Sequence, residues 1–570
     1  MMNTRTHDLV IIGAGLAGLR AAFEGITAGL DTAVISKVHP LRSHSCAAQG
    51  GVNAAINPKD KWEDHSYDTV KGADFIGDED AIELMCQEAP QAVLDLDHMG
   101  CPFSREEDGS IAQRAFGGAN FPRTAYAADR TGHAMLHTLW EQAVKNGVHV
   151  YDEYHVLKIL VDRQRNRASG VVAYEIATGQ LHVLRAKAVL VATGGYGRVF
   201  SSNTNAMINT GDGIALAMRA GAPACDLEFV QFHPTGLKSS GLLISEGVRG
   251  EGAYLIGKDG QRFMKKYAPN KLELASRDVV SRAETLEIMN GNGVDGAIFL
   301  DVRHLGRELI LERLPQIRQL AIDFEGVDPI YEPIPVRPTC HYTMGGIRTN
   351  KFGHSHLEGL FAAGEAACVS IHGANRLGAN SLVEGIVFGK ITGKEMVRYV
   401  GDEGEPMPQI EPDEVTDVER AIADLKARPK EGGKRQADLR EKLTTVMQED
   451  VGVFRTEEKL QNALKVIKQV KRDYAKLTID DKSDAFNTDL LTAFELGSLI
   501  DLAEGTVKAA IERKESRGAH SREEYPKRDD KKWRKHTLVR WNPQTKSTEI
   551  DYEDVRTLQV DRYKPVERVY

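Results

Sequence analysis

The chain is predicted to be an α/β protein: a discontinuous Rossmann-like nucleotide-binding domain, an inserted α+β capping domain, a helical bundle and a small C-terminal domain. Three observations predict this. His7 to Ile12 is a short apolar run, as expected of a strand buried in a parallel sheet. Gly13-Ala14-Gly15-Leu16-Ala17-Gly18 follows at once, then a helical stretch from Leu19 to Ala28 and a second strand, Thr32 to Ser36. That order is the βαβ unit that opens a doubly wound sheet. Further on, the apolar strands Ala188 to Ala192 and Leu360 to Ala363 run into Thr193-Gly194-Gly195 and Gly364-Glu365. A sheet that stops and resumes implies a nucleotide domain that is interrupted and then completed.

The expected division follows. Residues 1–235 and 345–400 form the nucleotide-binding domain, with an inserted capping domain of mixed character at 236–344. An acidic, Pro- and Gly-rich linker covers about Gly401 to Glu414. Leu439, Leu443, Val446 and Met447 fall at helical spacing, as do Leu460, Leu464 and Ile467, so 401–515 reads as a helical domain with apolar stripes facing inward. Residues 516–570 form a strongly charged C-terminal domain. Its plain reading is a solvated surface, although Trp533 suggests a buried anchor or a partner contact.

The 570 residues carry 41% hydrophobic and 27% charged side chains and a net charge of -9, a globular composition without the basic face of a nucleic-acid binder. No run of about 18 apolar residues is present, so no membrane span is expected. The first strand is expected at about Asp8, leaving no room for a leader. A bacterial, cytosol-facing protein is therefore expected, with a processed organellar one as the alternative. Cys46, Cys86, Cys101, Cys225, Cys340 and Cys368 make no Cys-x-x-Cys pair, so neither a bound metal nor an iron–sulfur cluster is expected.

Gly13 and Gly15 let the backbone approach a pyrophosphate at a helix N-terminus, and Gly18 lets helix and strand pack closely. This implies a dinucleotide. Where many such folds carry an acid for the ribose, this chain has Ser36-Lys37. A lysine there suits the 2′-phosphate of NADP, or is simply solvated at a strand end.

Two further segments are more specific: Leu41-Arg42-Ser43-His44-Ser45-Cys46-Ala47-Ala48-Gln49-Gly50-Gly51, and His372-Gly373-Ala374-Asn375-Arg376-Leu377-Gly378-Ala379-Asn380-Ser381-Leu382. Together they resemble the flavoprotein subunits of succinate dehydrogenase and fumarate reductase, and the resemblance extends over nearly the whole chain. It implies that the dinucleotide is FAD, linked covalently through His44 of Arg42-Ser43-His44. Such a link raises the flavin's potential; the protein supplies tuning and orientation, and the cofactor the hydride chemistry. It also implies FAD contacts from Gly13, Ala14, Gly15, Leu16, Ala17, Gly18, Ser43, Ser45, Gln49, Gly50 and Gly51, with Ser36 and Lys37 flanking the adenosine. Asp212, Glu365, Asn380, Ser381 and Leu382 match the remaining flavin-binding positions; taken alone, Ser381 reads equally as a helix cap.

A dicarboxylate calls for two clamps of positive charge, for which the guanidinium fork is well suited. By resemblance, His233, Ser245, His341 and Arg376 bind the substrate carboxylates. Ser245 stands where many members have threonine, which keeps the hydroxyl. Arg277 is the implied proton-transfer residue, and Glu246 and Arg249 the relay leading to it. Arginine is an unusual acid or base, since its ordinary pKa is about 12.5–13.8. A salt bridge from Arg277 to Asp278 is the plainer alternative. Clamping supplies orientation, and cationic groups stabilise charge developing on the substrate.

The implied partners are succinate and fumarate, an iron–sulfur subunit, and indirectly membrane-anchor subunits and quinone, with no nucleic acid. The implied location is peripheral, on the cytoplasmic face of a bacterial plasma membrane or, for a processed chain, the mitochondrial matrix face. Fumarate reductase working in reverse is the alternative. L-aspartate oxidase shares much of the pattern but binds FAD without a covalent link, and His44 and the long tail argue against it. A non-catalytic FAD-holding assembly subunit would lack part of the set Arg277, Arg376, His233 and His341.

Overall fold

A computed structural model describes residues 3–402 and 406–568. Strand β1 (Asn3–Ile12) starts ahead of the expected run because its polar first residues also pair, Asn3 standing opposite His182. Helix α1 (Leu16–Thr27) starts at Leu16 rather than Leu19, and β2 (Thr32–Ser36) lies parallel to β1. Two glycines set the turn. A Cβ on Gly18 would stand 1.9 Å from the Gly13 carbonyl oxygen, and one on Gly13 would stand 2.3 Å from that of Ala192. The first closes helix onto strand and the second closes the turn onto the neighbouring strand. Leu9, Val10 and Ile11 are wholly buried, each contributing about 1.5–3 kcal/mol.

Seven strands make the main sheet. His149–Asp152, β2, β1 and Leu181–Val191 run parallel in that order. Leu181–Val191 is shared along its far edge. Its first half pairs antiparallel with Arg167–Glu175, which pairs with Tyr154–Asp162. Its second half takes Leu360–Ala362 in parallel, Leu360 opposite Val189. A strand from beyond the insertion thus completes the sheet that β1 began.

The inserted region has its own four-stranded antiparallel sheet, Val230–Leu237, Ile334–Thr343, Ile298–Asp301 and Tyr254–Ile256. Leu255, Ile298, Leu300 and Val336 centre a second apolar cluster. The expected 235/236 boundary falls inside Val230–Leu237. That strand and Ile334–Thr343 form a two-stranded stalk between the regions, with register shifts at Gln231/Phe232 and His233/Gly236. Such bulges commonly re-aim side chains near active sites.

Helix Asn380–Asp402 packs against α1. The expected linker is shorter than its composition suggested: a helix begins at Pro412, and 403–405 lie outside the described residues. Helices Pro412–Ala427, Gln436–Asp450, Glu457–Tyr474 and Thr488–Glu512 follow, with Leu439, Leu443, Leu460 and Ile467 buried as expected. No helix among the described residues is long and apolar enough to cross a membrane. All six cysteines are free.

The charged tail is not a solvated surface. Arg517 and Arg522 are fully buried, as is Arg513 just before them. Arg513 Nε donates to Glu228 Oε1 at 2.7 Å, and Arg517 Nε donates to Glu515 Oε1 at 2.7 Å. Trp533 is buried, an anchor within the fold rather than an exposed contact. The hairpin Lys535–Asn542/Ser547–Asp554 adds its first strand to Ala224–Cys225 of the nucleotide-binding region. On that strand His536 Nδ1 lies 2.7 Å from Asp226 Oδ2, and Nε2 lies 3.2 Å from Asp78 Oδ1.

Burial opposes charge on His536, but Asp226 and Asp78 outweigh it and push its pKa up to about 10. A raised folded-state pKa gives stability that is fully present below the ordinary histidine pKa of about 6.5 and is lost as pH rises towards about 10. His536→Gln is therefore expected to destabilise the protein by about 3 kcal/mol near pH 6. It should also flatten the fall in melting temperature between about pH 7 and 10. Thermal melts of both proteins across that range check this; parallel curves would refute the pinning role.

Candidate active site

One elongated cavity runs between the two cores, from the β1–α1 turn to the stalk and the inserted region. The structure brings nearly all the expected residues to its wall: Gly13, Ala14, Gly15, Leu16 and Ala17 of the turn; Ser36 and Lys37; Ser43, His44, Ser45, Gln49, Gly50 and Gly51; and Asp212, Glu365, Ser381 and Leu382. From the substrate set it holds His233, Ser245, Glu246, Arg277, His341 and Arg376. Three expected residues do not line it. Gly18 acts through the helix–strand contact described above. Arg249 lies behind Glu246, its Nη2 3.8 Å from Glu246 Oε2.

The third is Asn380, whose side chain turns away from the cavity. Its Oδ1 meets Asn53 Nδ2 at 2.8 Å and His65 Nε2 at 3.0 Å, and its Nδ2 donates to Thr69 at 3.0 Å. The side chain is spent on the protein and holds the start of its helix. Ser381 is the second residue of that helix rather than its cap, and its Oγ accepts from Arg376 Nη1 at 3.2 Å.

At the β2 end, the Lys37 ammonium lies 2.7 Å from both Asp212 Oδ2 and Glu495 Oε1. Lys37 is therefore already neutralised, which disfavours its reading as a 2′-phosphate ligand. Asp212 Oδ1 remains buried without a partner. Ser45 Oγ accepts from Leu16 N at 3.3 Å, at the first turn of α1.

His44 sits in the short turn His44–Ala47. Its Nδ1 accepts from Ala206 N at 3.3 Å, which leaves Nε2 as the ring nitrogen without a hydrogen bond among the described residues. Burial pushes its pKa down to about 4, so the imidazole is neutral and Nε2 is the atom available for a bond. Glu365 Oε1 accepts from Thr343 N at 3.0 Å. Burial outweighs that bond and pushes its pKa up to about 7.

The cationic end is built on the stalk and two short elements. Ser245 caps Glu246–Gly250, accepting from Gly247 N at 3.1 Å; the cap uses a lone pair and leaves the hydroxyl hydrogen free to donate. Gln49 Oε1 accepts from Ser245 N at 3.0 Å. Arg277 opens the helix Arg277–Met289. Its Nε donates to Glu246 Oε2 at 2.6 Å and its Nη1 to Gln231 Oε1 at 3.0 Å. The alternative bridge to Asp278 is not made: Asp278 instead holds Arg282 at 3.0 Å and Arg568 at 2.7 Å. Arg376 Nη2 donates to the same Gln231 oxygen at 3.1 Å, and its guanidinium lies 4.5 Å from the Tyr342 ring centre. The His233 and His341 rings are 5.0 Å apart, and His341 Nδ1 is 2.8 Å from Thr204 Oγ1.

Electrostatics follow from crowding. Burial, then the charge of Arg277, pushes Arg376 down to about 9. Burial also lowers Arg277, opposed by Glu246 and reinforced by Arg249. Burial and Arg277 hold both histidines well below the ordinary imidazole range, hence neutral. Burial would raise Glu246, but Arg277 and Arg249 outweigh it and keep it ionised.

Sequence reasoning missed Gln231, whose one oxygen orients both guanidinia. Its signal was its position two residues before His233 on the same strand. It also missed Thr193 and His155. Both line the cavity, and Thr193 Oγ1 and His155 Nδ1, like Asp212 Oδ1 and Arg376 Nε, are buried without partners. Buried polar atoms rarely stay unpaired, so this wall fits a long polar ligand such as FAD at one end and an anion at the other.

Comparison with known proteins agrees. A family profile described as "FAD binding domain" matches residues 8–382, and one described as "Fumarate reductase flavoprotein C-term" matches 440–570. The chain is 48% identical to the succinate dehydrogenase flavoprotein subunit of Rickettsia bellii, covering 99% of this chain and 98% of that one. It is 42% identical to the fumarate reductase flavoprotein subunit of Mycobacterium tuberculosis, covering 100% of both. A solved structure of a mutant E. coli quinol fumarate reductase superposes with a TM-score of 0.96 at 41% identity, covering 100% of this chain and 99% of that one. The chain belongs to the family of succinate dehydrogenase and fumarate reductase flavoprotein subunits.

Proposed function

We propose that this chain is the flavoprotein subunit of a succinate:quinone oxidoreductase. In this reading it oxidises succinate to fumarate with FAD bound covalently through His44, and passes electrons to an iron–sulfur subunit. Membrane-anchor subunits would hold that assembly peripherally at the cytoplasmic face of a bacterial plasma membrane, with the matrix face of a mitochondrion as the alternative. The division into 1–235 with 345–400, 236–344, 401–515 and 516–570 belongs to the same reading, with the first boundary running through the stalk.

One observation carries it: the excess of positive charge at the cationic end. Arg249, Arg277 and Arg376 gather round the ionised carboxylate of Glu246, and both histidines are neutral. Burying an uncompensated charge is costly, so this end suits an anionic substrate.

When bound, FAD supplies the hydride acceptor and the two-electron chemistry. The chain's own residues do the rest. Arg376, with Nε unpartnered, and the Ser245 hydroxyl clamp the carboxylates, assisted by His233 and His341. Gln231 fixes the two guanidinia relative to each other. Arg277 has Nε and Nη1 occupied, so Nη2 is the nitrogen left for the substrate carbon. It takes the proton there as Glu246, 2.6 Å from Nε, accepts one in turn. Fumarate reduction uses the same groups with Arg277 as acid, and is the second reading favoured by the fumarate reductase relatives. L-aspartate oxidase is disfavoured by the free Nε2 of His44.

The deciding experiment is acid precipitation of the loaded protein followed by peptide mass analysis. Flavin retained on the peptide containing His44 supports the reading; flavin released to the supernatant refutes the covalent link. His44→Ser is expected to retain FAD non-covalently and to lose succinate oxidation more than fumarate reduction. Equal losses in dye-coupled assays of both directions would refute the redox-tuning role. Arg277→Lys is expected to keep flavin and substrate binding while turnover falls by at least about 100-fold, the scale of general acid–base catalysis. Unchanged turnover would remove Arg277 from the proton step.

A further inference from the structure

His372 opens one of the two most specific segments of the sequence, and Tyr342 follows the substrate-binding His341, yet neither side chain takes part in the clamp or the relay. Tyr342 lies on the stalk strand Ile334–Thr343, and His372 precedes the turn that carries Arg376. Glu384 joins them from the helix Asn380–Asp402, one turn beyond Asn380. The Tyr342 hydroxyl donates to Glu384 Oε2 at 2.5 Å, and His372 Nε2 lies 2.9 Å from the same oxygen. All three side chains are buried.

The other side of this group meets the substrate clamp. Arg376 lies over the Tyr342 ring, 4.5 Å from its centre. Its Nη1 donates to Ser381 Oγ at 3.2 Å and its Nη2 to Gln231 Oε1 at 3.1 Å. Two contacts at the edge leave a planar guanidinium free to tilt about the line that joins them. A ring against its face removes that freedom, provided the ring is itself fixed. Among the described residues the Tyr342 hydroxyl is held by Glu384 and, more loosely, by His372 at 3.4 Å.

The contact also bears on charge. Burial, then Arg277, disfavours the charged form of Arg376, with Tyr342, Glu246 and Glu365 opposing. His233 and His341 nearby are neutral. Burial, then the charges of Glu384 and Glu365, holds the Tyr342 phenol well above the usual tyrosine range, so its O–H is there to be donated. A cation over a neutral ring is attracted by the ring's quadrupole, more strongly where water is excluded. Hydrogen bonds in such a chain polarise one another. Donation of the O–H to Glu384 leaves more electron density on the ring, and so strengthens the attraction that it also aims.

We propose that Glu384 is a positioning residue for the substrate clamp: it holds Tyr342, and the Tyr342 ring holds Arg376. This rests on the reading of Arg376 as a carboxylate clamp. Glu384 acts through Tyr342, which lines the cavity. The competing role is a structural tie between the stalk strand and the helix Asn380–Asp402, with no effect on the clamp.

The test compares Tyr342→Phe, Tyr342→Leu, Glu384→Gln and the double variant Tyr342→Phe/Glu384→Gln with wild type in the flavin-loaded protein. Succinate-dependent dye reduction gives kcat and KM across pH. Calorimetry with malonate, a dicarboxylate with a single methylene and so no neighbouring pair to dehydrogenate, gives affinity without turnover. Expected is a rise of about tenfold in KM and in malonate Kd for Tyr342→Leu. Smaller rises are expected for Tyr342→Phe and Glu384→Gln, with kcat less affected than KM in each. Glu384→Gln should add nothing once Tyr342 is replaced by Phe, because the two act as one unit. The alkaline fall in kcat/KM, which reports groups of the free enzyme, should move to lower pH in Tyr342→Leu, since loss of the ring disfavours the charged guanidinium further. That limb is read on the Tyr342 variants, because Glu384 also helps to hold Glu365 up. Unchanged malonate affinity in Glu384→Gln, or additive losses in the double variant, would overturn the proposal. A lower melting temperature with KM, malonate Kd and the alkaline limb unmoved would overturn it too, leaving only the structural tie. If Tyr342→Leu does not fold, the near-isosteric Phe and Gln variants decide through the double-variant comparison. Failure of the underlying reading looks different: wild type would not reduce dye with succinate, or malonate affinity would survive Arg376→Gln.

Discussion

The 2.6 Å contact between Arg277 Nε and Glu246 Oε2 organises the site around it. Both groups are buried, so neither is tolerable alone: breaking a buried ion pair by removing one partner costs about 3–5 kcal/mol. Arg249 and Arg376 stand close enough to shift the same carboxylate. A single anion therefore serves several cations, and the surplus cationic field points into the cavity. Burial, reinforced by that surplus, depresses Arg277 and Arg376 and keeps His233 and His341 neutral. An arginine becomes a workable proton carrier by this route, because its charged form is already disfavoured before substrate arrives.

Holding like charges together requires a frame that does not yield, and the fold supplies one from several directions. Glu246 comes from the short helix after Ser245, Arg277 from the next long helix, Arg376 from the turn before Asn380–Asp402, and both histidines from the stalk. Gln231, on the same stalk, bonds to two guanidinia through one oxygen and fixes their spacing. Neither core could build this end alone. The cofactor end is tied to the helical bundle in a similar way, since Lys37 joins Asp212 to Glu495 on the helix Thr488–Glu512.

Much of this was legible in the sequence because the chemistry lies in short contiguous motifs. Gly13 to Gly18, Ser43 to Gly51 and the triplet Ser245, Glu246 and Arg249 each keep their spacing in space, and the resemblance supplied roles that spacing could not. What was not legible depended on contacts between distant segments. Asn380 looked like a cofactor contact because its neighbours Ser381 and Leu382 line the cavity, but its side chain turns to Asn53, His65 and Thr69. Lys37 looked free until Asp212 and Glu495 arrived from far along the chain. The tail looked solvated because buried arginine cannot be told from exposed arginine until its carboxylate is found, and Glu457, which holds Arg522, lies well away in sequence.

The tail also shows why the chain's end belongs to the site's frame. His536 is gripped between Asp226, which precedes the stalk strand carrying Gln231 and His233, and Asp78, which precedes the helix Glu79–His98. Arg513 reaches Glu228 on the same approach to the stalk. The last part of the sequence therefore clamps the segment that positions the substrate-binding histidine. A mutation that loosened Asp226 or Glu228 would act on catalysis without touching substrate, by letting the stalk shift relative to Arg376. Displacements of about 1 Å at such distances from the chemistry are enough to cost about 100-fold in rate.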